Sequence, residues 1–139
     1  MADPAPTPRE LEALKVLWRL GPSTVREVHR EMQGRGGEAP AYTTVLSLLQ
    51  TMEQKGLVGH EPSGKAYAYF AKARRDSVFR RLAGDFLEEV FDGAMGEYVA
   101  RALQSRRPTV AELEELEAMI AEAKAQARER GRGGKGGAE

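Results

Sequence analysis

The 139-residue sequence predicts a mostly α-helical chain with a small β-hairpin, arranged as two lobes. Three observations carry this reading. Thr-x-x-Glu capping boxes at Thr7–Glu10, Thr24–Glu27 and Thr109–Glu112 each open a stretch with apolar residues at helical spacing. Leu57–Glu61 and Ala66–Phe70 alternate as strands do, with Pro62-Ser63-Gly64-Lys65 as the turn between them. The charge balance also changes after Arg75: residues 1–75 hold 11 Lys+Arg and 8 Asp+Glu, net +3, while residues 76–139 hold 10 and 13, net −3.

The elements follow in order. Residues 1–6, small and proline-rich, are expected to form a flexible arm. In the first helix Pro8 takes the first helical position, where its missing N–H costs nothing. Leu11, Leu14, Leu17 and Trp18 recur along it, and Gly21-Pro22 ends it. The Thr24 box opens a short helix with Val25, Val28 and Met32 on one side, broken by Gly34-Arg35-Gly36-Gly37. A third helix spans Ala41–Lys55 and closes on Gly56. At about 100° per residue, Val45, Leu48, Leu49 and Met52 form its apolar face. Its threonines are mediocre helix formers, so it depends on tertiary packing. Three helices followed by a hairpin is the order of a winged helix-turn-helix domain, expected over residues 7–75.

The second lobe starts near Asp76, a candidate N-cap. Val78, Phe79, Leu82, Phe86, Val90 and Phe91 spread over a broad apolar face until Asp92-Gly93. A shorter helix from Ala94 to about Leu103 carries Met95, Val99 and Leu103, and Pro108 breaks it. The Thr109 box starts a last helix with Leu113, Leu116, Ile120, Ala123 and Ala127 at alternating spacings of three and four. That covers about two heptads, too few for a long coiled coil. Residues 131–139, rich in glycine and charge, are expected to be a disordered tail. Three helices in about 60 residues make a weak independent core. The lobe at 76–130 is therefore expected to dimerise, with Phe79, Leu82, Phe86, Val90, Leu113, Leu116 and Ile120 at the interface.

Composition narrows the function. Apolar residues at 41%, charged residues at 30% and a mean hydropathy of −0.51 fit a soluble chain with a modest core. No apolar run approaches the ~20 residues of a membrane span, and the N-terminus lacks the pattern of a signal peptide, so a cytoplasmic protein is expected. The absence of cysteine excludes disulfides, thiolate catalysis and Cys-based zinc sites. His29 and His60 form no helical His-x-x-x-His pair, so neither metal nor cofactor is expected. Glu88-Glu89 and Glu112-Glu114-Glu115-Glu117 read as solvated helix faces, and Gly34–Gly37 lacks the downstream Lys-Ser/Thr of a phosphate loop. No catalytic constellation emerges.

The informative feature is the polar face of the Ala41–Lys55 helix. Opposite the apolar residues lie Thr43, Ser47, Gln50 and Gln54, flanked by Thr44, Leu46 and Thr51. A structural surface helix usually carries Glu and Lys, whose i,i+4 pairs support it. This face carries neither before Glu53 and Lys55. Glutamine pairs bidentately with adenine, and Thr and Leu meet the thymine methyl, so Thr43, Thr44, Leu46, Ser47, Gln50 and Gln54 are candidates for base readout. Candidates for phosphate contact are Arg26, Arg30, Tyr42, Lys55, Lys65, Arg74 and Arg75, distributed around that helix.

Several spaced motifs resemble the penicillinase-repressor family. They are Thr7-Pro8-x-Glu10-Leu11-Glu12, Val16-Leu17-Trp18, Gly21–Val28, Ala41–Leu46, Met52-x-x-Lys55-Gly56-Leu57-Val58 and Gly64-Lys65-Ala66-Tyr67-x-Tyr69. The match covers nearly all of residues 7–75 and continues more loosely to about residue 125, including Glu112–Leu116. The resemblance implies a homodimeric winged-helix repressor that places the Thr43–Gln54 helix in the major groove of a palindromic operator. Two departures matter. β-Lactam-responsive members are cut at an Asn-Phe bond in the dimerisation lobe, whereas this chain has no Asn and aligns Arg101-Ala102 there. Copper-responsive relatives carry Cys pairs, and this chain has no Cys. The inducing protease or ligand is therefore left unassigned. Two other functions remain open at this stage: a protein-interaction module using the Thr43–Gln54 face, and a DNA-binding regulator that senses a small molecule between its lobes.

Overall fold

The computed structural model describes residues 5–33 and 39–137. The Gly34–Gly37 break, most of the N-terminal arm and the last two residues lie outside the described residues. The elements run α1 (Pro8–Leu20), β1 (Ser23–Thr24), α2 (Val25–Gln33), α3 (Tyr42–Gln54), β2 (Val58–Ser63), β3 (Ala66–Ala71), α4 (Arg75–Phe91), α5 (Met95–Ser105) and α6 (Val110–Gly137). Packing separates them into two compact units, Met1–Val90 and Phe91–Glu139. The boundary falls within α4, not after Arg75 as the charge pattern suggested.

All three capping boxes form. Thr7 Oγ1 accepts from the Glu10 N–H and Glu10 Oε1 from the Thr7 N–H, at 3.2 and 2.9 Å. Thr24 with Glu27, and Thr109 with Glu112, repeat the arrangement. Pro6, expected in the flexible arm, is buried ahead of the first box. In the first unit, Ala13, Leu14, Val16 and Leu17 of α1 meet Val28 and Met32 of α2, Val45, Leu49 and Met52 of α3, and Leu57, Val58 and Tyr69 of the hairpin region. These are the helical faces that the apolar spacing marks out, except that Leu48 is only partly buried.

The sheet has order β1-β3-β2 and is antiparallel throughout. Its first strand is an addition to the sequence reading: Ser23 and Thr24 pair with Tyr69 and Ala68. The hairpin is also tighter than expected. Ser63 pairs with Ala66, so the loop is Gly64-Lys65 alone, with Gly64 at φ +63° in the first position, where a type II′ turn needs it. Pro62 is tolerated within β2 because that strand lies at the sheet edge.

The beginning of α4 belongs to the first unit's core. Val78 is buried there, and Phe79 and Leu82 pack partly against the cluster. Trp18 Nε1 donates to the Ala73 carbonyl at 3.0 Å, and its ring meets Phe79 edge-on at 5.7 Å. Phe79 and Leu82, expected at a dimer interface, are partly covered by apolar partners within their own chain. An isolated α4 leaves that face bare; the underside of α1 covers it.

In the second unit, Phe91 stacks on Tyr98 at 5.2 Å across the Asp92-Gly93 break, whose residues have φ of +50° and +80°. The final helix continues to Gly137, through most of the stretch expected to be a disordered tail. The Ala-, Glu- and Arg-rich run before it supplies good helix formers and propagates the hydrogen-bond ladder, although each glycine there costs about 1 kcal/mol relative to alanine.

Candidate nucleic-acid interface

The α3 helix is held by its apolar side and by its C-terminus. Val45, Leu49 and Met52 are fully buried, which turns Thr43, Thr44, Ser47, Gln50 and Gln54 to solvent. Leu46 is intermediate, packing partly on the core. The helix ends in a Schellman motif: the Gly56 N–H donates to the Glu53 carbonyl and the Leu57 N–H to that of Met52, with Gly56 at φ +85°. Its N-terminus has no side-chain cap and no acidic residue in the first turn, leaving the positive end of the helix dipole available to an anion.

Lys55, an expected phosphate contact, has an acidic partner within the chain. Its Nζ donates to both carboxylate oxygens of Glu10 at 2.9 Å, and the Glu10 side chain is only 3% exposed. This ion pair ties the end of α3 to the first turn of α1. Arg75, a second expected phosphate contact, lies over the Phe79 ring at 4.4 Å. Arg30, Lys65 and Arg74 are exposed, on α2, at the hairpin tip and just before α4.

Four of the remaining predicted residues, Arg26, Tyr42, Leu46 and Gln50, converge on a cleft of about 650 Å³ between α3 and the hairpin, whereas Thr43, Thr44, Ser47 and Gln54 do not line it. Arg26 and Thr24 line it from the α2 side, Tyr42, Leu46, Gln50 and Glu53 from α3, and His60, Ala66, Tyr67 and Tyr69 from the hairpin. Predicted base-reading residues (Leu46, Gln50) and phosphate-contacting residues (Arg26, Tyr42) therefore share one surface. Glu53, His60 and Tyr67 were not anticipated there. Strand alternation alone puts His60 and Tyr67 on some face of a hairpin; only the register, with Tyr67 opposite Pro62 and Tyr69 opposite His60, shows that they are neighbours.

The back of the cleft is polar and aromatic. His60 Nδ1 lies 2.7 and 2.8 Å from the two Glu53 carboxylate oxygens, so Nδ1 carries the hydrogen. The imidazole meets Tyr67 edge-on at 5.0 Å and Tyr69 at a tilt at 5.7 Å. Burial pushes the Tyr69 hydroxyl above its usual range, and the Glu53 carboxylate adds to the shift. At the cleft's outer edge, His29 meets Tyr42 edge-on at 5.7 Å. The Thr24 backbone N–H, then its hydroxyl, hold the Glu27 carboxyl below the usual range, with Arg30 contributing.

In the second unit, Val99, Leu103, Val110, Leu113, Leu116 and Ile120 line a groove of about 520 Å³ between α5 and α6. Ile120 is 56% exposed, and in the first unit Phe86 and Val90 are 49% and 54% exposed. Among the described residues, no group of three His, Cys, Asp or Glu side chains is placed to hold a metal ion, and no helix is long and apolar enough to cross a membrane.

The chain resembles known proteins over most of its length. It is 24% identical over 115 residues to the penicillinase repressor of Bacillus licheniformis, covering 83% of this chain and 88% of that protein. It is 36% identical over 77 residues to the transcriptional regulator BlaI of Mycobacterium tuberculosis, covering 55% of this chain and 54% of that one. The solution structure of monomeric B. licheniformis BlaI in complex with the blaP half-operator matches 54% of this chain and 89% of its own, at 23% identity and a TM-score of 0.47. The model of the penicillinase repressor family matches residues 6–122. The chain belongs to the penicillinase repressor family.

Proposed function

We propose that this protein represses transcription as a homodimer, each protomer laying α3 into the major groove of one half of a palindromic operator. The observation that carries the reading is the uncharged face of Thr43, Thr44, Ser47, Gln50 and Gln54 on a helix whose opposite side is fully buried. A rigid helix bearing donors, acceptors and methyl groups can discriminate base edges; a flexible one would lose that discrimination to entropy. Arg26 and Tyr42 take phosphates beside the cleft, and Lys65 does so at the wing tip. The exposed apolar faces of α4 and α6, including Phe86, Val90, Leu113, Leu116 and Ile120, pair between protomers. Such a protein works in the cytoplasm and needs no catalytic group.

Selection of operators from randomised duplex DNA, followed by footprinting, tests this. The expected result is a two-fold symmetric site with half-sites about one helical turn or more apart, bound with marked salt dependence. No enrichment over random duplex, or salt-insensitive retention, would favour a protein-docking role for the same helix face.

A further inference from the structure

The cleft between α3 and the hairpin holds a carboxylate, Glu53, on the surface expected to meet a sugar-phosphate strand. An acidic group there repels the ligand unless something occupies it. His60 does, through the two contacts of 2.7 and 2.8 Å, and the Tyr67 and Tyr69 rings hold the imidazole in place. Beyond the Schellman turn, this pair is a side-chain bridge from the last turn of α3 to the edge strand of the wing. Within the sheet, edge strand β2 pairs with β3 alone, and the buried Val58 anchors only its first residue in the core.

We propose that Glu53 and His60 are positioning residues that clamp the wing against the reading helix, and that the closed clamp is the form that binds the operator. This rests on the operator-binding function proposed above. When the imidazole is protonated, the bond becomes charge-assisted and the cleft gains a positive charge; both changes favour the closed wing and a bound phosphate strand. The groups facing His60 are Glu53 of α3 and Tyr67 and Tyr69 of β3, with Arg26 and Tyr42 across the cleft. Glu61, next on β2, points to the opposite side of the sheet. Only Glu53 among them is an acid that gains from the imidazolium.

The pair is partly exposed, 41% for His60 and 34% for Glu53, so its effect is modest and salt-screened. Opening the clamp lowers the competent fraction of each wing, which weakens binding by about threefold per wing and about tenfold for a two-winged dimer. The experiment uses the full chain and an operator duplex selected by that same wild-type chain. Affinity is measured at about pH 6 and about pH 8 for wild type, His60→Gln, Glu53→Gln and, as a control for the other histidine, His29→Gln. Hydroxyl-radical footprints and thermal unfolding accompany each.

The expected result is tighter wild-type binding at the lower pH, a flattened profile in His60→Gln and Glu53→Gln but not in His29→Gln, and weakened protection confined to the flanks where the wings sit. Unfolding midpoints close to wild type would place the effect on wing position. Equal affinities and equal pH profiles in wild type and both clamp variants would overturn the proposal, as would a profile abolished by His29→Gln alone. Failure of the wild type to select any operator would overturn the operator-binding function itself, which separates the two.

Discussion

Replacing Lys55 with methionine tests which role this residue has. As a phosphate contact its loss would leave stability nearly unchanged. As the partner of Glu10 its loss strands a carboxylate that is 3% exposed, keeping only the Thr7 backbone N–H at 2.9 Å. Breaking a fully buried pair costs about 3–5 kcal/mol. The Lys55 side chain is 32% exposed, so water can reach the vacated position, and the expected cost falls to about 2–3 kcal/mol. Glu10→Gln keeps the capping box, since glutamine serves at that position. In that background no buried charge is stranded, and Lys55→Met should cost less than about 1 kcal/mol. The assay is urea unfolding of the wild type, both single variants and the double variant. A coupling energy of at least about 1 kcal/mol is the expected result. Coupling within about 0.5 kcal/mol of zero would refute the ion pair as the tie between α1 and α3. A Lys55→Met protein of wild-type stability with a shallower salt dependence of binding would restore the phosphate contact.

Other expectations follow from the same geometry. Gln50→Ala should relax base preference at one position per half-site, by about 1–3 kcal/mol between the best base and its competitors, read from competition among single-base operator variants. Arg26→Ala should weaken binding to all sequences and reduce the salt slope by about 1 per protomer, whereas Arg75→Ala should leave the slope and lower the unfolding midpoint. Glu27 has a folded pKa below its unfolded value, so its contribution to stability is present above the usual carboxylate range and is lost as pH falls through the lowered value. The stability gap between wild type and Glu27→Gln should accordingly be full near neutrality and close in acid, measured by denaturant unfolding across pH 2–7. Leu116→Asp with Ile120→Asp should yield monomers by sedimentation, because a carboxylate on each exposed apolar site penalises burial at an interface.

Local rules accounted for much of the architecture. The capping boxes, the Gly56 terminator and the α3 apolar face depend on residues within a few positions of each other, and each is where the spacing placed it. The misses are non-local. The two-residue strand at Ser23-Thr24 is too short for any periodicity and exists because Tyr69 and Ala68 pair with it from more than 40 positions away. Phe79 and Leu82 share an apolar face with Phe86 and Val90, and spacing cannot tell which of these meet α1 and which stay exposed. At the site, the exposed α3 face was legible because helical geometry fixes which side faces out once the core side is known. Lys55 and His60 were not, because the partner of each sits on another element, Glu10 of α1 and Glu53 of α3; Arg75 meets Phe79 one turn along its own helix, a spacing the sequence does show.

This changes what the charge balance means. A net of +3 over residues 1–75 invites a reading in which six nearby cations, Arg26, Arg30, Lys55, Lys65, Arg74 and Arg75, all serve the phosphates. Two of the six have partners within the chain: Lys55 pairs with a buried carboxylate, and Arg75, itself exposed, lies over an aromatic ring of its own helix. The expected electrostatic footprint is correspondingly smaller: a protomer that engages four phosphates through the others would have a salt slope of about −3.6, against about −5.4 for all six. Non-specific affinity, which is almost wholly electrostatic, falls with each cation removed, while the hydrogen bonds proposed for Gln50 and its neighbours to base edges would not. Engaging Lys55 and Arg75 within the chain would therefore lower affinity for wrong sequences more than it lowers recognition of the right one. The Lys55–Glu10 contact also ties α3 to α1, so a zero-charge repressor would gain discrimination from an interaction that holds it together.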